Sequence, residues 1–209
     1  YVDGESVFYY LTVENEAYPM PAMPDGAREG ILKGLYRLRP AGQPGKHRAQ
    51  LLASGAILRE ALQAQALLAG YDVAADVWSV TSWGQLHRDG HACDRWNRLH
   101  PLEARRVPWL TQCLGPEPGV VVAASDYVKA LPDALGRWLD QRLVTLGTDG
   151  FGRSDTREAL REFFEGDARF IAVATLEALA RDGAVEPAVA ARAIAELGID
   201  PEKPDPAVS

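Results

Sequence analysis

Between His47 and Gly147, short apolar runs alternate with longer segments whose apolar residues recur at helical spacing. No other feature narrows the fold as far. Strands separated by helix-length crossovers pair in parallel, and the crossovers must cover the sheet. The runs "RAQLLAS" (48–54), "DVWSVTS" (76–82), "GVVVAAS" (119–125) and Arg142–Gly147 read as strands. The third is almost wholly apolar, the pattern of a strand buried on both faces. "AILREALQAQALLAG" (56–70) puts Ile57, Ala61, Ala64 and Leu68 on one helix face, and Gly70 fits a left-handed stop. The expected fold class is therefore α/β: an open, mostly parallel sheet with helices on both faces. Four strands are assigned, and a fifth is left open.

The flanking regions are less regular. Val7–Val13 reads as a strand, and 14–26, with three prolines, as an extended connector. Ala27–Leu38 reads as a short helix with Ile31, Leu32 and Leu35 on one face. "RPAGQPGKH" (39–47) is the clearest linker, and it predicts a boundary: residues 1–45 as the end of a preceding domain, 46–209 as the α/β domain. Gln85–Leu99 is polar and predicted helical in parts, interrupted at Gly90. Val107–Leu114 is a short helical candidate. Asp126–Asp140 is predicted helical, with Ser125 as N-cap and a kink or break at Pro132. Asp155 and Glu158 form a capping box for a helix to Phe164. Helices over Phe170–Arg181 and Pro187–Leu197 end at Gly183 and Gly198, before a charged, Pro-rich tail predicted to be loose. The chain enters a strand-like run almost directly from Tyr1, which is expected of a piece of a longer polypeptide.

With 209 residues, 47% of them hydrophobic, the chain has enough material for a real core. A net charge of -7 argues against bulk nucleic-acid binding. No apolar run approaches the roughly 20 residues of a membrane span, and no secretory leader is expected. Cys93 and Cys113 are far apart and outside any CxxC pair. They are expected to be free thiols in a reducing compartment, the cytoplasm, rather than zinc ligands.

Chemistry has three candidate locations. The first is "LGTDGFGRSDTREALREFF" (146–164), a strand, a turn with Gly147, Gly150 and Gly152, then a helix. That layout suits a phosphate loop. The spacing matches neither dinucleotide nor P-loop fingerprints, no lysine is in place, and Asp149 and Asp155 compete for the helix end. Asp149, Gly150, Phe151, Gly152, Arg153, Ser154 and Asp155 are therefore read first as a tight turn and candidate partner-contact loop. The second is His87 and His91, four apart, a spacing that invites a metal. Gly90 between them weakens a helix, and a histidine-bearing interface helix is the blander reading. The third is the adjacent pair Arg105 and Arg106, which suits either an anion clamp or surface ion pairs. No nucleophile elbow is present.

Four stretches carry a resemblance: "VFYYLTVENEAYPMPAMPDGAREGILKGLYR", "LLASGAILREAL", "DVWSVTSWGQLHRDGHACDRWNRLHP" and "LGTDGFGRSDTREALREFFE". Together they resemble the C-terminal end of the homodimeric pyruvate dehydrogenase E1 family, within the transketolase-like thiamine-diphosphate enzymes. The resemblance implies the exit of a middle domain followed by a C-terminal α/β domain. It implies an oxidoreductase that decarboxylates pyruvate and passes an acetyl group to the lipoyl group of the E2 acetyltransferase. Thiamine diphosphate and Mg2+ serve the full enzyme through a G-D-G motif followed by asparagine. No such motif occurs here, "TDG" and "RDG" being the nearest, so this segment is expected to hold no cofactor, metal or catalytic residue and to support the dimer and E2 assembly. Two alternatives stay open: an independent small-ligand-binding α/β domain and a non-catalytic assembly module.

Overall fold

A computed structural model describes residues 2–8 and 17–209. After an irregular stretch the elements run α1 (Arg28–Lys33), β1 (Leu35–Arg39), β2 (His47–Ala53), α2 (Ile57–Ala69), β3 (Val73–Val80), α3 (Trp83–Leu99), α4 (Trp109–Leu114) and β4 (Val120–Ala124). Then come α5 (Ala130–Asp133) with a 3-10 turn over Ala134–Trp138, β5 (Leu143–Leu146), α6 (Arg157–Phe163), α7 (Ala168–Arg181) and α8 (Pro187–Glu196).

The five strands form one sheet in the order β1-β3-β2-β4-β5. β2, β3, β4 and β5 are parallel, and β1 closes the β3 edge antiparallel, with Leu35 opposite Val80. The pleat divides the core in two. Ala49, Leu51, Val73, Val77, Val120 and Val122 face a layer of α2, α7 and α8. Leu52, Trp78, Val80, Val121 and Ala123 face α3, α4 and the 3-10 turn, against Trp83, Leu86, Leu110 and Trp138. β3 and β4 are buried at every position, as parallel strands covered on both faces must be.

Gln50, Trp78 and Asp76 are matched inside this sheet. Trp78 Nε1 donates to Gln50 Oε1 at 2.8 Å, and Gln50 Nε2 donates to the Pro118 carbonyl at 3.1 Å. The buried Asp76 accepts from Arg48 at 2.7 Å and from the Ala41 amide at 2.7 Å. The carboxylate thereby anchors the linker to the sheet, since a buried charge needs partners.

Several expectations require correction. The helix anticipated over Ala27–Leu38 stops at Lys33, because Gly34 turns left-handed (φ 101°) and Leu35–Arg39 becomes the fifth strand. The chain doubles back so closely that a Cβ on Gly30 would meet the Leu35 carbonyl at 2.6 Å. β1 and β2, on the two sides of the 39–47 linker, thus both pair with β3. Gly70 keeps right-handed backbone, and the positive φ falls on Asp72 at 61°. β3 starts three residues earlier than anticipated and stops at Val80. α3 runs unbroken through Gly90. Ser125 caps no helix: the chain turns through 126–129, and Pro132 lies inside the short α5. The α6 cap is Thr156, whose hydroxyl accepts from the Ala159 amide at 3.3 Å, while Asp155 accepts from the Thr156 amide. The strand anticipated at Val7–Val13 lies mostly outside the described residues, and among the described residues Val7 and Phe8 belong to no strand.

Candidate functional site

The chain leaves β2 toward β3 on one side and later returns to place β4 on the other. The segments following β2 and β4 therefore part, and a crevice opens at the carboxyl ends of the strands, where open α/β sheets bind ligands. A cavity of about 320 Å³ occupies that position. Ala56 and Ile57 line it from the end of β2, Ser125 and Asp126 from β4, and Thr148, Gly152 and Arg153 from β5. α6 closes it with Arg157, Leu160 and Arg161.

The glycine-rich loop forms one wall of this crevice. Gly147 lets two backbones touch, since a Cβ there would meet the Tyr127 carbonyl at 2.4 Å. That carbonyl accepts from the Thr148 amide at 2.8 Å. Gly150 has φ 84° and lies against the carbonyls of Pro206 and Ala207 in the C-terminal tail. Asp149 is fully engaged: Oδ1 accepts from the Lys129 amide at 3.0 Å, and Oδ2 pairs with Lys129 Nζ at 3.3 Å. The Arg153 guanidinium sits 4.2 Å above the Phe163 ring. Phe151, at the tip, is 89% exposed, and Ser154 and Asp155 are exposed beside it.

Glu60 holds the far side of the crevice together, and sequence reasoning passed over it. It is buried on α2, where Oε1 accepts from Arg161 at 2.8 Å and Oε2 from the Ala168 amide at 3.1 Å. One carboxylate thus ties α2, α6 and the start of α7. The signal was present, because Glu60 sits three residues after Ile57 and four before Ala64 on the apolar stripe, and buried acids are seldom left unpaired. Arg157, on the same wall, donates to the Tyr18 hydroxyl.

The weaker candidates separate. His87 and His91 do share a face of α3, with their Nε2 atoms 3.2 Å apart and both rings edge-on to Trp138. No group of three metal-ligating side chains converges among the described residues. Arg106 does not join Arg105 in a clamp: it stacks on Trp96 at 3.5 Å, and its backbone makes two hydrogen bonds to the Asn97 amide side chain. Arg105 faces a separate groove. Cys93 and Cys113 are free thiols. Burial pushes Cys113 up to about 11 and also raises Cys93.

Beside the loop, the amino end of α6 is served by Thr156 and the Asp149 carboxylate is paired with Lys129.

Sheet order and crevice define an open α/β domain with a cleft at its strand ends. The profile of the transketolase-like TK C-terminal domain matches residues 34–167, and the chain belongs to that family. Its sequence is similar to the pyruvate dehydrogenase E1 component of Pseudomonas aeruginosa, 50% identical over 98% of this chain, and to that of Escherichia coli, 48% identical over 97%. The chain spans 23% of the length of each. Among solved structures, a split-gene transketolase described as an inactive beta4 tetramer superposes with a TM-score of 0.52 at 23% identity, covering 77% of this chain and 46% of its own. A transketolase from Pichia stipitis gives 0.51 at 17% identity, covering 74% and 19%. These two support the fold alone. No helix among the described residues is long and apolar enough to cross a membrane.

Proposed function

We propose that this chain is the closing segment of a pyruvate dehydrogenase E1 component and acts within it as a structural and assembly domain. The observation that carries the reading is 50% identity to the Pseudomonas aeruginosa E1 component across nearly the whole chain. The whole cytoplasmic homodimer decarboxylates pyruvate and reductively acetylates the lipoyl group of E2. Thiamine diphosphate supplies the electron sink, and Mg2+ anchors its diphosphate; both are held by domains upstream of this one. Residues 1–45 lead out of the preceding domain, with β1 lent to the sheet that follows. The Asp149–Asp155 loop contacts a partner, a role supported by its exposed Phe151 at the ends of the strands.

The test is a calorimetric titration of thiamine diphosphate plus Mg2+ into this chain and into a version extended upstream through the whole reading frame. Binding by the extended protein alone is expected. Binding by the short chain would place the cofactor here and overturn the reading. Binding by neither would favour a non-catalytic assembly module. The crevice between β2 and β4 favours one second reading, a small-ligand-binding domain. Saturable binding of a metabolite other than the cofactor by the short chain, lost in Arg153→Glu, would favour it.

A further inference from the structure

A second concavity lies on the opposite layer. It has a volume of about 500 Å³ and is lined by His91, Asp94, Arg95 and Arg98 of α3, by Asn97, by Arg105 of the following loop, and by Arg137 of the 3-10 turn. His91, Asp94, Arg95 and Arg98 follow i, i+3, i+4, i+7 spacing, so one face of α3 builds the floor. Four guanidinium groups thus meet one carboxylate. Asp94 is already committed, since it pairs with Arg137 at 3.4 Å and accepts from Trp138 Nε1 at 3.1 Å. Arg95, Arg98 and Arg105 make no ion pair among the described residues, although the chain carries 29 acids against 22 lysines and arginines. In a chain with surplus acid, three uncompensated arginines around one hollow mark a place where negative charge is to be supplied from outside.

The hollow is also held in shape. The Asn97 side chain donates to the Arg106 carbonyl at 2.9 Å and accepts from its amide at 2.8 Å, which pins the loop bearing Arg105 to α3. Arg137 is fixed by Asp94 and by the Trp138 ring at 5.2 Å. Every lining side chain is charged, an amide or an imidazole, so nothing offers an apolar body a seat. The nearby Trp96 ring is already stacked with His100 at 3.6 Å and with Arg106. Guanidinium forks match the oxygens of phosphate groups two at a time.

We propose that this groove binds a compact multivalent oxyanion of the di- or triphosphate class, held by Arg95, Arg98 and Arg105. The inference is independent of the E1 reading, because it rests on charge and shape alone. The test titrates inorganic tripolyphosphate and, separately, ATP into the chain at 50 mM and 200 mM salt, with Arg98→Gln, Arg105→Gln and the double variant beside it. Saturable binding of tripolyphosphate is expected, about tenfold weaker in each single variant and weaker at the higher salt. Similar affinity for ATP would mean that the phosphate chain is the recognised part, and a tenfold tighter value that the nucleoside is also read; both support the site. Without any variant, tripolyphosphate should protect Arg98 and Arg105 from phenylglyoxal, read by mass spectrometry. Absence of saturable binding at the lower salt, equal affinity in the double variant, or tighter binding of a polyglutamate peptide than of tripolyphosphate would each overturn the proposal.

Discussion

Gly90, in the middle of α3, lies flat against the indole of Trp138: a Cβ at position 90 would come within 2.5 Å of two ring carbons. The glycine that breaks the sequence pattern is therefore a packing residue. It admits the tryptophan that seals the second core layer and backs both His87 and His91.

Gly90→Ala should lower stability although alanine is the better helix former. The propensity gain is about 1 kcal/mol. Forcing a buried ring aside costs about 1–3 kcal/mol. A fall in Tm of a few degrees is expected by circular dichroism, and a rise would show that Trp138 has free space to move into.

Glu60→Ala should destabilise far more than a surface change. Removing it strands Arg161 and the Ala168 amide together, and breaking a buried pair costs about 3–5 kcal/mol. Urea unfolding of Glu60→Ala, Arg161→Ala and the double variant measures the coupling. A double variant no worse than Glu60→Ala alone is expected; strictly additive losses would mean that the two side chains act separately.

Cys113 and Cys93 should resist alkylation in the native protein. Burial holds Cys113 protonated up to about 11, whereas an unfolded thiol ionises near 9. At pH 8, iodoacetamide should label neither residue in the folded chain and both after denaturation without reductant. A count of zero under denaturing conditions would reveal oxidation. The sign for stability follows: this raised value favours the folded state fully below pH 9, and the benefit is lost as pH climbs from 9 to about 11. Cys113→Ala should lose less stability over that interval.

Arg153→Glu should leave the isolated domain folded, because the side chain is exposed and rests on the Phe163 ring. In the full-length enzyme, dimer or E2 affinity should fall by about tenfold, as expected for a charge reversal at a contact surface. Sedimentation and E2 titration read both, and unchanged values would remove the loop from the interface.

How legible the fold was depended on how far local pattern and packing agreed. β2, β4, α7 and α8 could be read because their apolar runs and helix stops coincide with what the core requires. β1 could not. "LYRLR" has too few residues to reveal its period, and only pairing with Val77–Val80 makes it a strand. Gly90 misled because propensity is local whereas Trp138 arrives from 48 positions downstream. The glycine-rich loop was located correctly at the strand ends, but the crevice beside it depends on sheet order, which no stretch of sequence carries. The arginine groove was half visible: Arg105 was noted, whereas Arg95 and Arg98 gain meaning only when the loop folds back over α3.

The antiparallel β1 has a consequence for how such domains are cut and recombined. β3 is an eight-residue strand, buried throughout, and β1 covers the outer backbone of its second half, Val77–Val80. A chain begun at position 46, within the linker, would bare that half of the edge, whose open amides and carbonyls invite a neighbouring molecule to add its own strand. Any gene fusion, trimming or domain exchange in this lineage is therefore expected to need the few residues upstream of the linker, which keep that edge paired.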